Sequence, residues 1–64
     1  MLEIKFARIR KGLTQEELGE KIGVNKVTIS AYELGKIKPS LDALIKLSDF
    51  LEVSIDELLG RKEK

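Results

Sequence analysis

The 64-residue chain contains neither cysteine nor histidine, and its aromatic residues are limited to two phenylalanines and one tyrosine. Without thiols it can form neither a disulfide nor a thiolate metal site. Without imidazole it lacks the commonest general base and the commonest zinc ligand. Packed aliphatic side chains must therefore stabilise the fold, and no metal site is expected.

Long apolar runs are also missing. No stretch approaches the roughly 20 apolar residues that a membrane-spanning helix needs. The opening MLEIK carries two charges and does not resemble a signal peptide. We therefore expect a cytoplasmic protein that has no membrane partner.

The overall composition is that of a folded globule, with 42% hydrophobic and 36% charged residues. A chain of 64 residues can bury one small core, and a second domain could not bury its own. Residues 1–64 are therefore expected to form a single domain.

The net charge of +1 conceals an uneven distribution along the chain. Residues 1–38 hold eight Lys or Arg and five Glu, a net charge of +3. Residues 39–60 hold one Lys and five acidic residues, a net charge of −4. A polyanion would approach the first part and be repelled by the second, although an ordinary solvated surface would give the same pattern.

Glycines and helix-capping residues divide the sequence into short helical segments. Thr14 with Glu17, and Ser54 with Glu57, match capping boxes, in which each side chain bonds to the other residue's backbone amide. Gly23 fits the position after a helix, where a positive φ is easily adopted only by glycine. No segment alternates as a strand would. The predicted helices span residues 2–11, 15–22, 26–34, 41–51 and 55–59.

The second and third helices are joined by a turn too short for antiparallel packing, so they must cross steeply against a common core. Gly19 supplies the small residue that such a crossing requires. The predicted core residues here are Leu18, Ile22, Val24, Ile29 and Tyr32, which leaves Lys26, Val27, Ser30 and Ala31 on the outer face of the third helix. We predict an all-α fold, a compact orthogonal bundle of five short helices, with a helix-turn-helix over 15–34 and a short basic tail over 61–64.

Over residues 4–60 the sequence resembles the helix-turn-helix family of phage-repressor and Cro-like regulators, also called the XRE family. Gly19, Gly23, Ile29 and the Glu33-x-Gly35 ending of the third helix fall in the register of that family. The resemblance implies a lambda-repressor-like domain of bacterial, archaeal or phage origin. It also implies sequence-specific binding of double-stranded DNA by a transcriptional regulator, a repressor, with no cofactor or small-molecule ligand.

The resemblance also implies which residues contact DNA. Lys26 can donate to the O6 and N7 atoms of guanine, and Val27 can pack on a thymine methyl group. Each candidate could instead be an ordinary surface residue, and Leu34 stands where the family often has a polar residue. The residues expected to contact bases are Asn25, Lys26, Val27, Thr28, Ser30 and Ala31, and those expected to contact phosphates are Gln15, Lys36 and Lys38.

Arg8 and Glu33 match a pair that forms a salt bridge in similar domains, and we interpret the pair as structural rather than catalytic. The chain shows no nucleophile–base pair, phosphate-binding glycine loop or metal-ligand spacing, so it is not expected to be an enzyme.

So small a domain reads few base pairs, which favours a homodimer on a near-palindromic operator. The expected dimer interface consists of Val53, Ile55, Leu58 and Leu59, unless all four fill the monomer core. A competing hypothesis is an antitoxin-type or adaptor module whose main partner is another protein.

Overall fold

The computed structural model describes residues 1–60, so the predicted basic tail over 61–64 lies outside the described residues. Within 1–60 the chain is helical without strands, and the predicted all-α bundle of five helices is confirmed. The longest helix has 11 residues, and none in this range could cross a membrane. The helices are α1 (Leu2–Arg10), α2 (Gln15–Ile22), α3 (Lys26–Leu34), α4 (Leu41–Leu51) and α5 (Ile55–Leu58).

Side chains cap four of the five helices at their N-termini. Each capping side chain accepts a hydrogen bond from a first-turn amide that has no acceptor within its own helix. At α2 the capping box is complete: the Glu17 amide donates to Thr14 Oγ1 at 3.0 Å and the Thr14 amide donates to Glu17 Oε1 at 2.9 Å. The second predicted capping box, at α5, is only half present. The Glu57 amide donates to Ser54 Oγ at 2.9 Å, but the Glu57 carboxylate lies 3.9 Å from Arg10 instead of bonding back.

One aliphatic core joins all five helices. Val24, predicted to be a core residue, is only partly buried and packs against the edge of this core. Of the broad apolar surface of α1, Ile4 and Ala7 face the core, whereas Phe6 and Ile9 are more than half exposed. The buried hydrophobic residues that form this core are Ile4, Ala7, Leu18, Ile22, Ile29, Tyr32, Leu47, Leu51 and Leu58.

The turn between α2 and α3 is held by backbone contacts at Gly19. The amides of Gly23 and Val24 both donate to the Gly19 carbonyl, at 2.8 and 2.9 Å, and Gly23 takes a φ of +84°. A Cβ atom on Gly19 would lie 2.4 Å from the Val24 carbonyl oxygen. The predicted close contact at Gly19 is therefore present, and it involves the backbone of the turn itself.

We predict that Gly19→Ala destabilises the chain although alanine favours helix by about 1 kcal/mol over glycine. The new methyl group must displace the backbone of the turn, and we expect a net loss of about 1–3 kcal/mol in the free energy of unfolding. Chemical denaturation followed by circular dichroism measures this loss. The control is Glu20→Ala, a neighbouring exposed position that should change stability by less than about 0.5 kcal/mol. A Gly19→Ala variant as stable as the wild type would contradict the steric role of Gly19.

Candidate functional site

The outer face of α3 forms a shallow depression of about 360 Å³ together with the start of α2. Val27 is the most exposed apolar residue there, with 69% of its surface accessible. Lys26 is also exposed, whereas Ser30 and Ala31 are half-buried. The depression is lined by Gln15, Lys26, Val27, Ser30, Ala31, Leu34 and Lys36. The structure thus brings six of the nine residues predicted to contact DNA to one concave surface.

The other three lie elsewhere. Asn25 caps α3, because its Oδ1 atom accepts from the Thr28 amide at 2.9 Å. This bond uses one of the two lone pairs of Oδ1, and the Nδ2 group can donate to other partners. Thr28 is half-buried and does not line the depression. Lys38 lines a different depression, of about 260 Å³, beside Pro39 and Leu44.

The start of α2 contributes two features to this surface. In any α-helix the first amides have no acceptor within the helix, and the N-terminal end carries a partial positive charge. Such an end attracts anions, although here Thr14 Oγ1 already accepts from the Glu17 amide and the side chains of Glu16 and Glu17 add two negative charges to the same turn. Gln15 is the first residue of α2 and also lines the α3 depression, so this end of α2 lies at the same surface.

A buried carboxylate lies behind the depression. Glu33, near the end of α3, is only 4% exposed, and its Oε2 atom accepts from Arg8 Nε at 2.6 Å. The second oxygen, Oε1, accepts from Arg8 Nη2 at 3.3 Å and from Gln15 Nε2 at 3.0 Å. Arg8 Nη1 donates to the Leu13 carbonyl oxygen at 2.7 Å. The expected pair between Arg8 and Glu33 is present, and its donors come from both α1 and α2.

The bond from Gln15 to Glu33 is a feature that was not predicted from the sequence. Gln15 was expected to contact phosphate and to steady a neighbouring side chain of the third helix, and Glu33 was expected to form the salt bridge, but Glu33 was not identified as the partner of Gln15. The two residues are 18 positions apart, and only the crossing of α2 over α3 brings them together. The sequence does show a glutamine at the start of α2 and a glutamate near the end of α3. This pattern predicts their hydrogen bond only when the crossing of the two helices is already known.

One of the four residues expected at a dimer interface must be withdrawn. Leu58 is fully buried in the monomer core, so it has no surface to offer a second chain. Val53 and Ile55 are half-buried, and Val53 packs against the core. Leu59 is 43% exposed and lines the depression that contains Lys38. Of the two alternatives, burial in the monomer core applies to Leu58, whereas Leu59 has exposed surface that a second chain could contact.

Sequence comparison identifies relatives of the whole domain. A family model described as Helix-turn-helix matches residues 4–58. The HTH-type transcriptional regulator YqaE of Bacillus subtilis is 41% identical over 56 residues, which make up 88% of this chain and 48% of that protein. The HTH-type transcriptional activator BcrR of Enterococcus faecalis is 45% identical over 61 residues, 95% of this chain and 30% of that protein. The chain thus spans about half or less of the length of these two relatives.

Structure comparison agrees with the sequence relatives. The P22 c2 repressor protein, crystallised in complex with a synthetic operator, matches this chain with a TM-score of 0.84 at 33% identity. The match covers 91% of this chain and 92% of that one. The repressor-like fold expected from the sequence is confirmed.

We predict strong energetic coupling between Arg8 and Glu33. Each single variant, Arg8→Met or Glu33→Leu, leaves a buried charge without its partner and should cost about 3–5 kcal/mol in the free energy of unfolding. The double variant should cost clearly less than the sum of the two, because no buried charge remains. Chemical denaturation of all four proteins gives the coupling energy.

The matched control is the exposed pair Asp42–Lys46, whose charged atoms lie 3.4 Å apart on α4. Its coupling should stay below about 1 kcal/mol, since water screens exposed pairs. Equal coupling energies for the buried and exposed pairs would contradict the structural role of Arg8 and Glu33.

Proposed function

The chain belongs to the helix-turn-helix family, and from this we propose that it is a transcriptional regulator that binds double-stranded DNA sequence-specifically. The observation that supports this proposal best is the outer face of α3, where Lys26 and Lys36 are among the residues that line an exposed concave surface. A related domain with the same fold, the P22 c2 repressor, has been crystallised on an operator. The family is one of regulators rather than of enzymes, which agrees with the absence of catalytic patterns in the sequence.

In this proposal α3 enters the major groove, which is wide enough for an α-helix. Lys26 donates to guanine acceptors and Val27 packs against a thymine methyl group. Asn25 contributes its Nδ2 donor, because its oxygen is used in the helix cap. Ser30 and Ala31, half-buried at the floor of the depression, set how closely the helix approaches the bases. Thr28 is the weakest of the proposed base contacts, because it is half-buried and also lies outside the depression.

Phosphate contacts would fix the orientation of the domain on the duplex without reading its sequence. We assign them to Gln15 and the amides at the start of α2, and to Lys36 and Lys38 after α3. The net charge of +3 over residues 1–38 favours the approach of DNA to the part of the chain that contains α1, α2 and α3. The net charge of −4 over residues 39–60 disfavours binding of DNA through α4 and α5.

We further propose that two copies bind a near-palindromic operator, since one small domain reads too few base pairs for useful affinity. The contact between copies would use the exposed surface of Leu59, with Ile55 and Val53 beside it. Binding at a promoter would then block RNA polymerase, which makes repression the expected outcome. If the chain instead served as an adaptor or antitoxin that binds only protein, it would show no affinity for any duplex.

We predict that Lys26→Ala and Lys36→Ala weaken DNA binding in different ways. Loss of Lys26 should cost about 1–3 kcal/mol at the preferred base pair and relax the preference there. Loss of Lys36 should weaken all sequences alike and reduce the slope of log affinity against log salt by about 0.9. Fluorescence anisotropy on duplexes selected from a random pool measures both effects.

Lys46→Ala is the control for a lost positive charge. Lys46 lies on α4 in the acidic part of the chain, and its removal should leave affinity and salt slope unchanged. Identical losses for Lys26→Ala and Lys36→Ala across all duplexes would refute the division into base and phosphate contacts.

We predict that Leu59→Ser, which removes the apolar side chain without adding charge beside Lys38, weakens binding to a two-half-site operator while leaving binding to a single half-site unchanged. The half-sites should lie about one helical turn, or roughly 34 Å, apart. Phe6→Ser, at a similarly exposed apolar residue on α1, should affect neither duplex. Sedimentation of the complexes tests the stoichiometry, and a single chain on the complete operator would exclude the dimer.

A further inference from the structure

We propose that the buried pair of Arg8 and Glu33 positions Gln15 for contact with DNA, so that a stabilising ion pair also sets the affinity of the binding surface. This role rests on the DNA-binding function proposed above. It concerns Glu33 as a positioning residue, which acts through Gln15 and does not itself touch DNA.

Three donors surround the Glu33 carboxylate: Arg8 Nε at 2.6 Å, Arg8 Nη2 at 3.3 Å and Gln15 Nε2 at 3.0 Å. Among the described residues no buried side-chain nitrogen or oxygen atom lacks a hydrogen-bond partner, and this includes the buried atoms of this cluster. Because both Arg8 and Glu33 are largely buried, the acceptor offered to Gln15 is fixed in position.

This fixed acceptor restricts the side chain of Gln15. A glutamine side chain has three rotatable bonds, and on an open surface it would sample many conformations. Here the hydrogen bond to Glu33 favours one of these conformations, and it determines whether the nitrogen or the oxygen of the Gln15 amide faces the protein interior. Nε2 faces the carboxylate, so the second amide hydrogen and the Oε1 atom remain for other partners. Gln15 also lines the α3 depression, so its side chain connects the buried pair with the proposed DNA-binding surface.

The ordering of Gln15 has an energetic consequence for binding. A side chain that is already ordered loses less conformational freedom on binding than a mobile one, which raises affinity without adding a contact. Gln15 is uncharged, so this contribution should not depend on salt as a lysine–phosphate contact does. It should depend on whether residue 33 can accept a hydrogen bond, and not on whether residue 33 is charged.

Two double variants separate the acceptor from the charge. The acceptor-keeping variant, Arg8→Met with Glu33→Gln, removes both buried charges but retains a carbonyl oxygen that can accept from Gln15. The acceptor-lacking variant, Arg8→Met with Glu33→Leu, removes the charges and the acceptor, in a side chain of similar size. Both have the net charge of the wild type, and both lack the Arg8 bond to the Leu13 carbonyl. They differ in the acceptor that residue 33 offers to Gln15 and in the NH2 group that glutamine adds, and the Gln15→Ala background described below separates these two effects.

We expect the acceptor-lacking variant to bind a duplex selected by the wild type about three- to tenfold more weakly than the acceptor-keeping variant, the range for one net hydrogen bond. The ratio should be the same at low and moderate salt. Adding Gln15→Ala to both should abolish the difference, because the positioned side chain is then gone. Affinities are expressed per folded molecule, with the folded fraction taken from denaturation curves.

Three outcomes would overturn the proposal. Equal affinities of the two double variants would show that Gln15 needs no acceptor at residue 33. A difference that persists after Gln15→Ala would show that residue 33 acts by another route. If the wild type selects no duplex at all, the proposed function fails and the positioning role fails with it.

A measurement on the unmutated chain covers the case in which the variants do not fold. Nuclear magnetic resonance of the Gln15 side-chain amide should show one hydrogen protected from solvent exchange before DNA is added. Addition of the selected duplex should shift the other hydrogen and leave the protected one in place. Two rapidly exchanging hydrogens in the free chain would overturn the proposal.

Discussion

The rest of the structure depends on the buried carboxylate of Glu33, because it is the point at which the first three helices meet through polar atoms. Arg8 reaches it from α1 and Gln15 from the start of α2, while Glu33 itself lies near the end of α3. Hydrophobic contacts alone would tolerate small shifts of α3, since apolar packing has no preferred direction. The Glu33 carboxylate, which accepts three hydrogen bonds, does not tolerate such shifts, because displacement of α3 would leave buried charge unpaired. The aliphatic core therefore supplies the stability, and this cluster fixes where the outer face of α3 lies.

The turn between α2 and α3 imposes a second constraint, which acts on the backbone. A Cβ atom at Gly19 would force the Val24 carbonyl group and the turn to shift, and Gly23 adopts a left-handed conformation. Glycine inside a helix is unfavourable, so this arrangement costs α2 stability that the packing of α2 on α3 must offset. The two constraints act at opposite ends of α3. The turn sets its beginning and Glu33 sets its end, so α3 is fixed as a rigid element even though nine residues are too few for a stable isolated helix.

Most of the fold was predictable because its signals are local. The N-caps Thr14 and Ser54 and the left-handed Gly23 depend on neighbours a few residues away, and the bounds of α2, α3 and α4 agree with prediction. The errors arose where distant residues compete. Glu57 was expected to complete a capping box at Ser54, but its carboxylate lies beside Arg10. Leu58 was expected at a dimer interface, but it fills the core. Likewise, the bond between Gln15 and Glu33 follows from the crossing of two helices, and no short-range pattern encodes it.

The stability of the fold does not explain why the outer face of α3 is apolar. The core is complete without Val27 and Leu34, which are 69% and 64% exposed. Single exposed apolar side chains are common on proteins and need no explanation, and Phe6 on α1 is one of them. The α3 face differs because its apolar residues share one concavity with two lysines and with Gln15, which is held from behind by a buried carboxylate. The exposed apolar side chains of this surface gain nothing from contact with water. Together with the lysines that line the same surface, they suit a partner that carries both negative charge and methyl groups. Double-stranded DNA combines phosphates with the thymine methyl groups of its major groove.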